Sequence, residues 1–280
     1  MIPRVLLCLT AILLAAGPAL AQAPAQAAAT SPALSRDDQE KFLINAKIVS
    51  DKELSVGVTN SRKAVLDDGK LQHDVHIQTV DISKASFQTQ RGTELNFRDS
   101  YKFNMAAYEL DKLLEINMTP PSVERKFKGQ SAAITWWVDN KLMDEIERMQ
   151  KKIQPPDLDR CNKQMYIVRV FDQLIYNTDR NLGNLVIDKD WNIWMIDHTR
   201  GFRMMKKLEN TKNLVQIDRK LLGKLRELNK DALKAKAGKY LTGMEIDGVV
   251  GRAQEIVKFF DNEIKAKGEG AVVYDLPPRG

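Results

Sequence analysis

Cysteine is almost missing from this chain: among 280 residues only Cys8 and Cys161 carry a thiol. Cys8 sits in an N-terminal export signal, so the mature protein keeps Cys161 alone, which excludes an internal disulfide even in an oxidising compartment. Histidine is scarce too. With three histidines and no C-x-x-C pair, the usual ligand sets of a structural zinc site are absent, and His73 and His76 flank a strand in an alternating apolar segment. No run of basic residues interleaved with aromatics occurs, although the formal charge is +6, which argues against nucleic acid as the main partner. The one long apolar run, from Val5 to Leu14, is too short to span a bilayer. Internal repeats are lacking. So is a full G-x-G-x-x-G phosphate loop, Gly57 being the only glycine near the first predicted turn.

Present instead are 43% hydrophobic residues, enough for one good core or two small lobes. Arg4 ahead of the apolar run, with Ala19-Leu20-Ala21 as a small-x-small cleavage site, marks residues 1–21 as a signal peptide. The expected location is secreted or periplasmic, with no membrane span after cleavage; an uncleaved anchor is the alternative. Residues 22–35, rich in Ala, Gln and Pro, form a linker without large side chains to repay ordering.

From Asp37 the pattern turns helical, with Phe42, Leu43, Ala46 and Ile48 available for one face, and breaks near Ser55. A β-rich stretch follows: a strand at Lys63 to Leu66, a turn at Asp68-Gly69, and alternation at Val75, Ile77 and Thr79. Asp99-Ser100 is expected to cap a helix through Met105 to Leu114, which Pro120-Pro121 stops. A hairpin is predicted from Val123 to Val138. Helices then dominate: 140–153, then 162–176 with Met165, Val168, Phe171 and Ile175 on one stripe, and more beyond Gln216, the last opening with a capping box at Thr242 to Glu245. The predicted class is α+β in two lobes, with a small antiparallel β-rich lobe at 36–138, a mostly helical lobe at 139–268 and a peripheral tail at 269–280.

The chemistry lies between the helix ending near Tyr176 and the later helices. Asn177-Thr178-Asp179-Arg180-Asn181-Leu182-Gly183-Asn184 is followed by a strand to Asp188, a turn, and Ile193-Trp194-Met195-Ile196-Asp197. This order sets Asp179 and Asn184 five apart in one loop and returns Asp197 beside them at a strand end. The set suits phosphoryl transfer, where a hydroxyl must be oriented while metal ions neutralise phosphate charge. The stretch resembles the protein-kinase-like superfamily, and Asp179-Arg180 is similar to the D-R-H-x-x-N loop of its atypical branch, which includes phosphatidylinositol kinases, HipA-type kinases and secretory-pathway kinases. Asn181 stands where that pattern has His. The passage from Ala106 to Asp111 and on through Pro120-Pro121-Ser122-Val123 is similar to the helix-to-strand passage of their small lobe.

The resemblance implies a two-lobe protein-kinase-like fold that binds ATP or another nucleotide with Mg2+ or Mn2+. It assigns Asp179 to the attacking hydroxyl, Asn184 and Asp197 to the metal, and the turn around Gly57 to the phosphates. Two departures stand out. Gln78 occupies the position of the lysine that pairs with the α- and β-phosphates, and Asn104 that of its acidic partner, with Glu109 five residues on. Lys102, with Lys84 second, is the candidate substitute cation. The function implied is an exported kinase-like protein that phosphorylates a hydroxyl of a protein, lipid or sugar. The alternatives are a non-catalytic pseudokinase module and another nucleotide-dependent group transferase. The exported chain should start at Gln22, as intact-mass measurement of secreted material will show; a species that keeps residues 1–21 establishes the anchor instead.

Overall fold

The computed structural model describes residues 34–54, 61–89, 92–177 and 180–279; the expected signal peptide and most of the expected linker lie outside them. The N-terminal part is a five-stranded antiparallel sheet in the order β1-β2-β3-β7-β6, formed by β1 (Lys47–Glu53), β2 (Arg62–Asp67), β3 (Gln72–Gln78), β6 (Ser122–Phe127) and β7 (Gln130–Trp136). Period-two alternation sorts the two faces. Ala64, Leu66, Val75, Ile77, Ile134 and Trp136 bury one face under Phe42 and Leu43 of α1 (Arg36–Asn45). Lys63, His76 and Thr135, which are register neighbours, point to the other face, as does Gln78 opposite Ala133.

The first helix is shorter than its sequence pattern suggests. Ser35 caps α1 by accepting from Asp38 N–H at 3.1 Å, and Arg125 of β6 closes the other end, donating to the carbonyls of Leu43 and Ala46 at 2.7 and 2.9 Å. The chain therefore leaves the helix at Asn45, and Ile48 enters a strand that pairs with β2, where β-branched side chains pack well.

Between β3 and α2 (Lys102–Leu114) runs a hairpin that sequence did not foresee, β4 (Asp81–Thr89) with β5 (Gly92–Ser100). Most of β4 is exposed on both faces, so it lacks the alternation that signals a strand. Lys84, expected in a loop, lies on β4. Asp99 and Ser100 finish β5, where Ser100 N–H donates to Thr199 O at 2.9 Å and Asp99 pairs with Arg200 at 3.0 Å; of the two only Ser100 touches the helix start, its Oγ accepting from Lys102 N–H at 3.4 Å. The N-cap of α2 is Tyr101, without a side-chain cap bond.

Helix α2 is shared by both lobes. Phe103, Ala106, Ala107, Leu110 and Leu114 enter the large core of the helical part, whereas Tyr101 and Met105 pack on Ala133 of β7. Its far end is held by Asp111, fully buried, which accepts from Met118 and Thr119 N–H at 2.8 and 2.9 Å and from Arg36 of α1 at 2.8 Å. Arg36 also donates to Thr119 O at 2.7 Å and lies over the Tyr108 ring.

In the C-terminal part, the helix expected over 140–153 is replaced by β8 (Lys141–Asp144), paired with β9 (Leu185–Asp188), and by the short α3 (Glu145–Gln150) that Asp144 caps. α4 (Leu158–Ile175) begins at the Asp157 cap and buries Val168, Phe171 and Ile175. β10 (Ile193–Met195) completes the β9 hairpin. β11 (Ile217–Asp218), α5 (Arg219–Glu227), α6 (Lys230–Ala237) and α7 (Gly243–Lys267) follow, α7 opening with the predicted capping box. The end of the chain is no loose tail. α8 (Glu269–Val272) leads into β12 (Val273–Tyr274), which pairs in parallel with β11, because Val272, Val273 and Tyr274 cover apolar core. The result is a two-lobe α+β architecture, with an antiparallel sheet in the N-terminal part and a mostly helical C-terminal part. Among the described residues no helix is long and apolar enough to cross a membrane.

Arg36→Ala removes the clamp between α1 and α2 and leaves the Asp111 carboxylate short of a partner. It should cost about 1–3 kcal/mol in chemical denaturation, with Arg36→Lys recovering only part because an ammonium lacks the fork that reaches both Asp111 and Thr119 O.

Candidate active site

Helix α4 ends at Ile175 with Tyr176 in the left-handed region, φ 53°. Asp172, in the last turn of α4, receives Arg180 in a two-pronged ion pair, Nε to Oδ2 at 3.0 Å and Nη2 to Oδ1 at 2.9 Å. The same guanidinium donates to Ile196 O at 2.9 Å. Arg180 thereby pins the loop to the residue just before Asp197. Asp179 and Thr178 lie outside the described residues, flanked by two anchored neighbours, Arg180 and Asn177; Asn177 donates its backbone N–H to Asp172 O at 2.8 Å.

Asn181 then accepts from Gly183 N–H at 2.9 Å, which starts a single 3-10 turn, Leu182–Asn184. Asn184 O accepts from Ile196 N–H at 3.0 Å, so Asn184 and Asp197 are brought side by side. Asp197 is solvent-exposed, with φ 54°, a conformation that costs a non-glycine residue roughly 1–3 kcal/mol and persists where surroundings enforce it. Thr199 Oγ1 donates to its Oδ1 at 3.1 Å. An amide oxygen and a carboxylate are hard donors, the set that suits Mg2+ or Mn2+. Asp188 is a turn residue, as its type suggests: its carboxylate accepts from the backbone N–H groups of Asp190 and Asn192 and from the Trp194 indole, each at 2.9 Å.

The other wall of the site is built on Gln78. Buried at the end of β3, its Oε1 accepts from Asn104 Nδ2 of α2 at 2.8 Å, and Asn104 Oδ1 accepts in turn from His198 N–H at 2.8 Å. Two neutral amides thus stand where the sequence comparison led one to expect a lysine and an acid, and they run from the sheet through α2 to the backbone just after Asp197. Glu109 takes no part and pairs with Lys112 at 2.9 Å. The structure does not bring Lys102 to this wall, since its ammonium pairs with Asp81 at 2.9 Å at the foot of β4. Gly57 lies outside the described residues, in the connection from β1 to β2.

His76 lies within β3 rather than flanking it. It lies two residues before Gln78 on the same face of β3, and that spacing was the available signal. Burial lowers its pKa, and the charge of Asp197 opposes that shift. Lys63, its register partner on β2, pairs with Asp74 at 2.5 Å and sits 4.7 Å from the Trp137 ring centre. His198 is buried edge-on against Phe171, and its Nε2 has no hydrogen-bond partner. Burial, then the nearby Arg180 charge, hold its pKa well below the ordinary value, so it serves as a neutral core ring.

A protein family described as the ABC1 atypical kinase-like domain matches residues 45–227, more than half of the chain. No curated protein sequence matches. Among solved structures the chain is similar to hydra Fam20 with sugar, at 16% identity and TM-score 0.61, over 84% of this chain and 90% of that one. It is likewise similar to the Golgi casein kinase, at 12% identity and TM-score 0.60, over 86% of this chain and 78% of that one, and to the same kinase with Mn and ADP bound, at 12% identity and TM-score 0.57, over 87% and 80%. At these identities the likeness is one of fold.

Asn104→Ala deletes both hydrogen bonds of the amide bridge and should destabilise the protein by about 1–3 kcal/mol. Hydrogen exchange should speed up at the His198 amide in that variant and stay unchanged in Glu109→Ala. Faster exchange in Glu109→Ala alone would place the α2 partner of the site at Glu109.

Proposed function

Because the chain belongs to the ABC1 atypical kinase-like family, we propose that it is an exported phosphotransferase that moves a phosphoryl group from a nucleotide to a hydroxyl. The observation that carries this reading is the juxtaposition of Asn184 and Asp197, locked by the Ile196 N–H to Asn184 O bond and by Arg180 reaching across to Ile196 O. Export is motivated by Arg4, the apolar run and Ala19-Leu20-Ala21.

In this reading Asp179 orients the acceptor hydroxyl and takes its proton as the oxygen attacks phosphorus. Asn184 and Asp197 would hold a divalent cation, whose charge would neutralise that of the phosphates. The left-handed backbone at Asp197 fixes the direction of its carboxylate, and the Gln78–Asn104 bridge fixes the backbone that follows. The Golgi casein kinase with Mn and ADP bound supports Mn2+ or Mg2+ and an adenine nucleotide as first choices. The acceptor class, protein, lipid or sugar, is left to experiment.

A second reading is favoured by one specific observation: the neutral Gln78–Asn104 bridge occupies the place of a phosphate-facing cation. A non-catalytic module with a kinase-like cleft would need no such charge. Asp197→Ala should abolish metal-dependent nucleotide binding. Asp179→Ala should leave that binding within a few fold and lower turnover about a hundredfold or more, because a metal ligand acts in the ground state and a proton acceptor in the transition state. Calorimetry paired with phosphate-transfer assays decides between the readings: wild-type binding without any transfer supports the module, and equal, unimpaired behaviour of both variants removes the site assignment.

A further inference from the structure

The β4–β5 hairpin is inserted between the strand that ends at Gln78 and α2, and among the described residues β5 is the only strand neighbour of β4. From Ile82 to Phe87 nothing among the described residues pairs with the outward edge of β4. Natural sheets blunt such edges with proline, bulges or several charges. β4 has no proline, and its only charges are Asp81 and Lys84.

Against the hairpin lies a cavity of about 260 Å³, walled by Ser83 to Ala85 of β4, by Leu95 of β5, by the segment Phe202 to Met205, and by Met244 at the start of α7. Its rim is unusually apolar for a surface: Leu95 is 70% exposed, Met244 64% and Met205 46%. Two cations of the wall are already paired, Arg98 with Glu245 and Arg203 with Glu94. Among the described residues Lys84, on the wall with its ammonium 4.9 Å from the Phe87 ring centre, and Lys207, just beyond it in the chain, are exposed and have no ion-pair partner, so the surface presents positive charge.

We infer that this face docks an extended, acidic polypeptide segment, which adds a strand to the edge of β4, sets an apolar side chain in the cavity and places its carboxylates near Lys84 and Lys207. An unpaired strand edge gives main-chain hydrogen bonds to any peptide, alternate side-chain pockets give selectivity, and charge complementarity selects the acidic one. A lipid surface fits worse. Seating β4 in a membrane would bury its unpaired N–H and C=O groups away from water. The docking stands whether or not the neighbouring cleft transfers phosphate.

The test uses the full exported chain and a fluorescein-labelled peptide of alternating glutamate and threonine around a single leucine. Anisotropy should show saturable binding, and hydrogen exchange should slow at residues 82–87. Leu95→Glu and Lys207→Glu, both at exposed positions, should each weaken binding about tenfold or more, equivalent to about 1.4 kcal/mol, as should replacing the peptide's leucine with glutamate. Metal–nucleotide binding, measured in parallel, should be the same in both variants as in wild type, so that a failure of docking is separable from a failure of the phosphotransfer reading. Equal affinity in the variants, protection elsewhere than β4, no peptide binding, or binding to phosphatidylglycerol vesicles in preference to the peptide each overturns the inference.

Discussion

A single buried amide, Asn104, holds the two walls of the site together, giving its N–H to Gln78 on the sheet and taking the N–H of His198 from the strand end that presents Asp197. Buried polar groups are costly unless paired, so each bond makes the other wall's position matter. The bridge is neutral, so it needs no counter-charge, and it brings no charge to a phosphate either. In kinase-like chemistry the corresponding contact is an ion pair that serves both purposes at once. Here the amides make the mechanical connection alone, while Lys63 on the same sheet face pairs with Asp74 and Lys102 pairs with Asp81.

The bridge is only as rigid as α2, and α2 is held from three directions. Its apolar stripe is part of the helical core, its first turn packs on Ala133, and its end is gripped through Asp111 by Arg36 and the turn before Pro120. Lys112 and Tyr108 of α2 also reach Glu40 of α1. The first helix after the linker is thus mechanically connected to the backbone beside Asp197. On the other side, β5 leans on Thr199, and Arg203 donates to Arg98 O at 2.8 Å. The segment after Asp197 is therefore braced by elements from both lobes.

Much of this was legible in the residues. Half-buried strands such as β2 and β3 alternate, and the β9–β10 hairpin announces itself through two apolar runs around an Asp-rich turn, so both the sheet and the return of Asp197 to Asn184 could be read. The positions of Gln78 and Asn104 followed from that register, and the structure joins them. What escaped has physical causes. β4 is wet on both faces and so carries no period. β8 and α3 together mimic one amphipathic helix in composition. The C-terminal residues look polar until β12 finds β11, a pairing between segments far apart in the chain. Lys102 was within reach of the cleft on length alone, but Asp81 captures it, and Asp81 became its neighbour only because of the unforeseen hairpin. His76 looked like a strand residue because alternation tells which face a side chain takes, not what stands across from it.

If Asn184 and Asp197 form a divalent-cation site that recruits a nucleotide, nucleotide binding must depend on the metal. The deciding experiment is titration calorimetry of ADP and ATP into the purified protein, once with Mn2+ or Mg2+ and once with the metal chelated. The site as described gives saturable nucleotide binding with metal and loses it on chelation. Binding of equal strength with and without metal, or none in either condition, contradicts it.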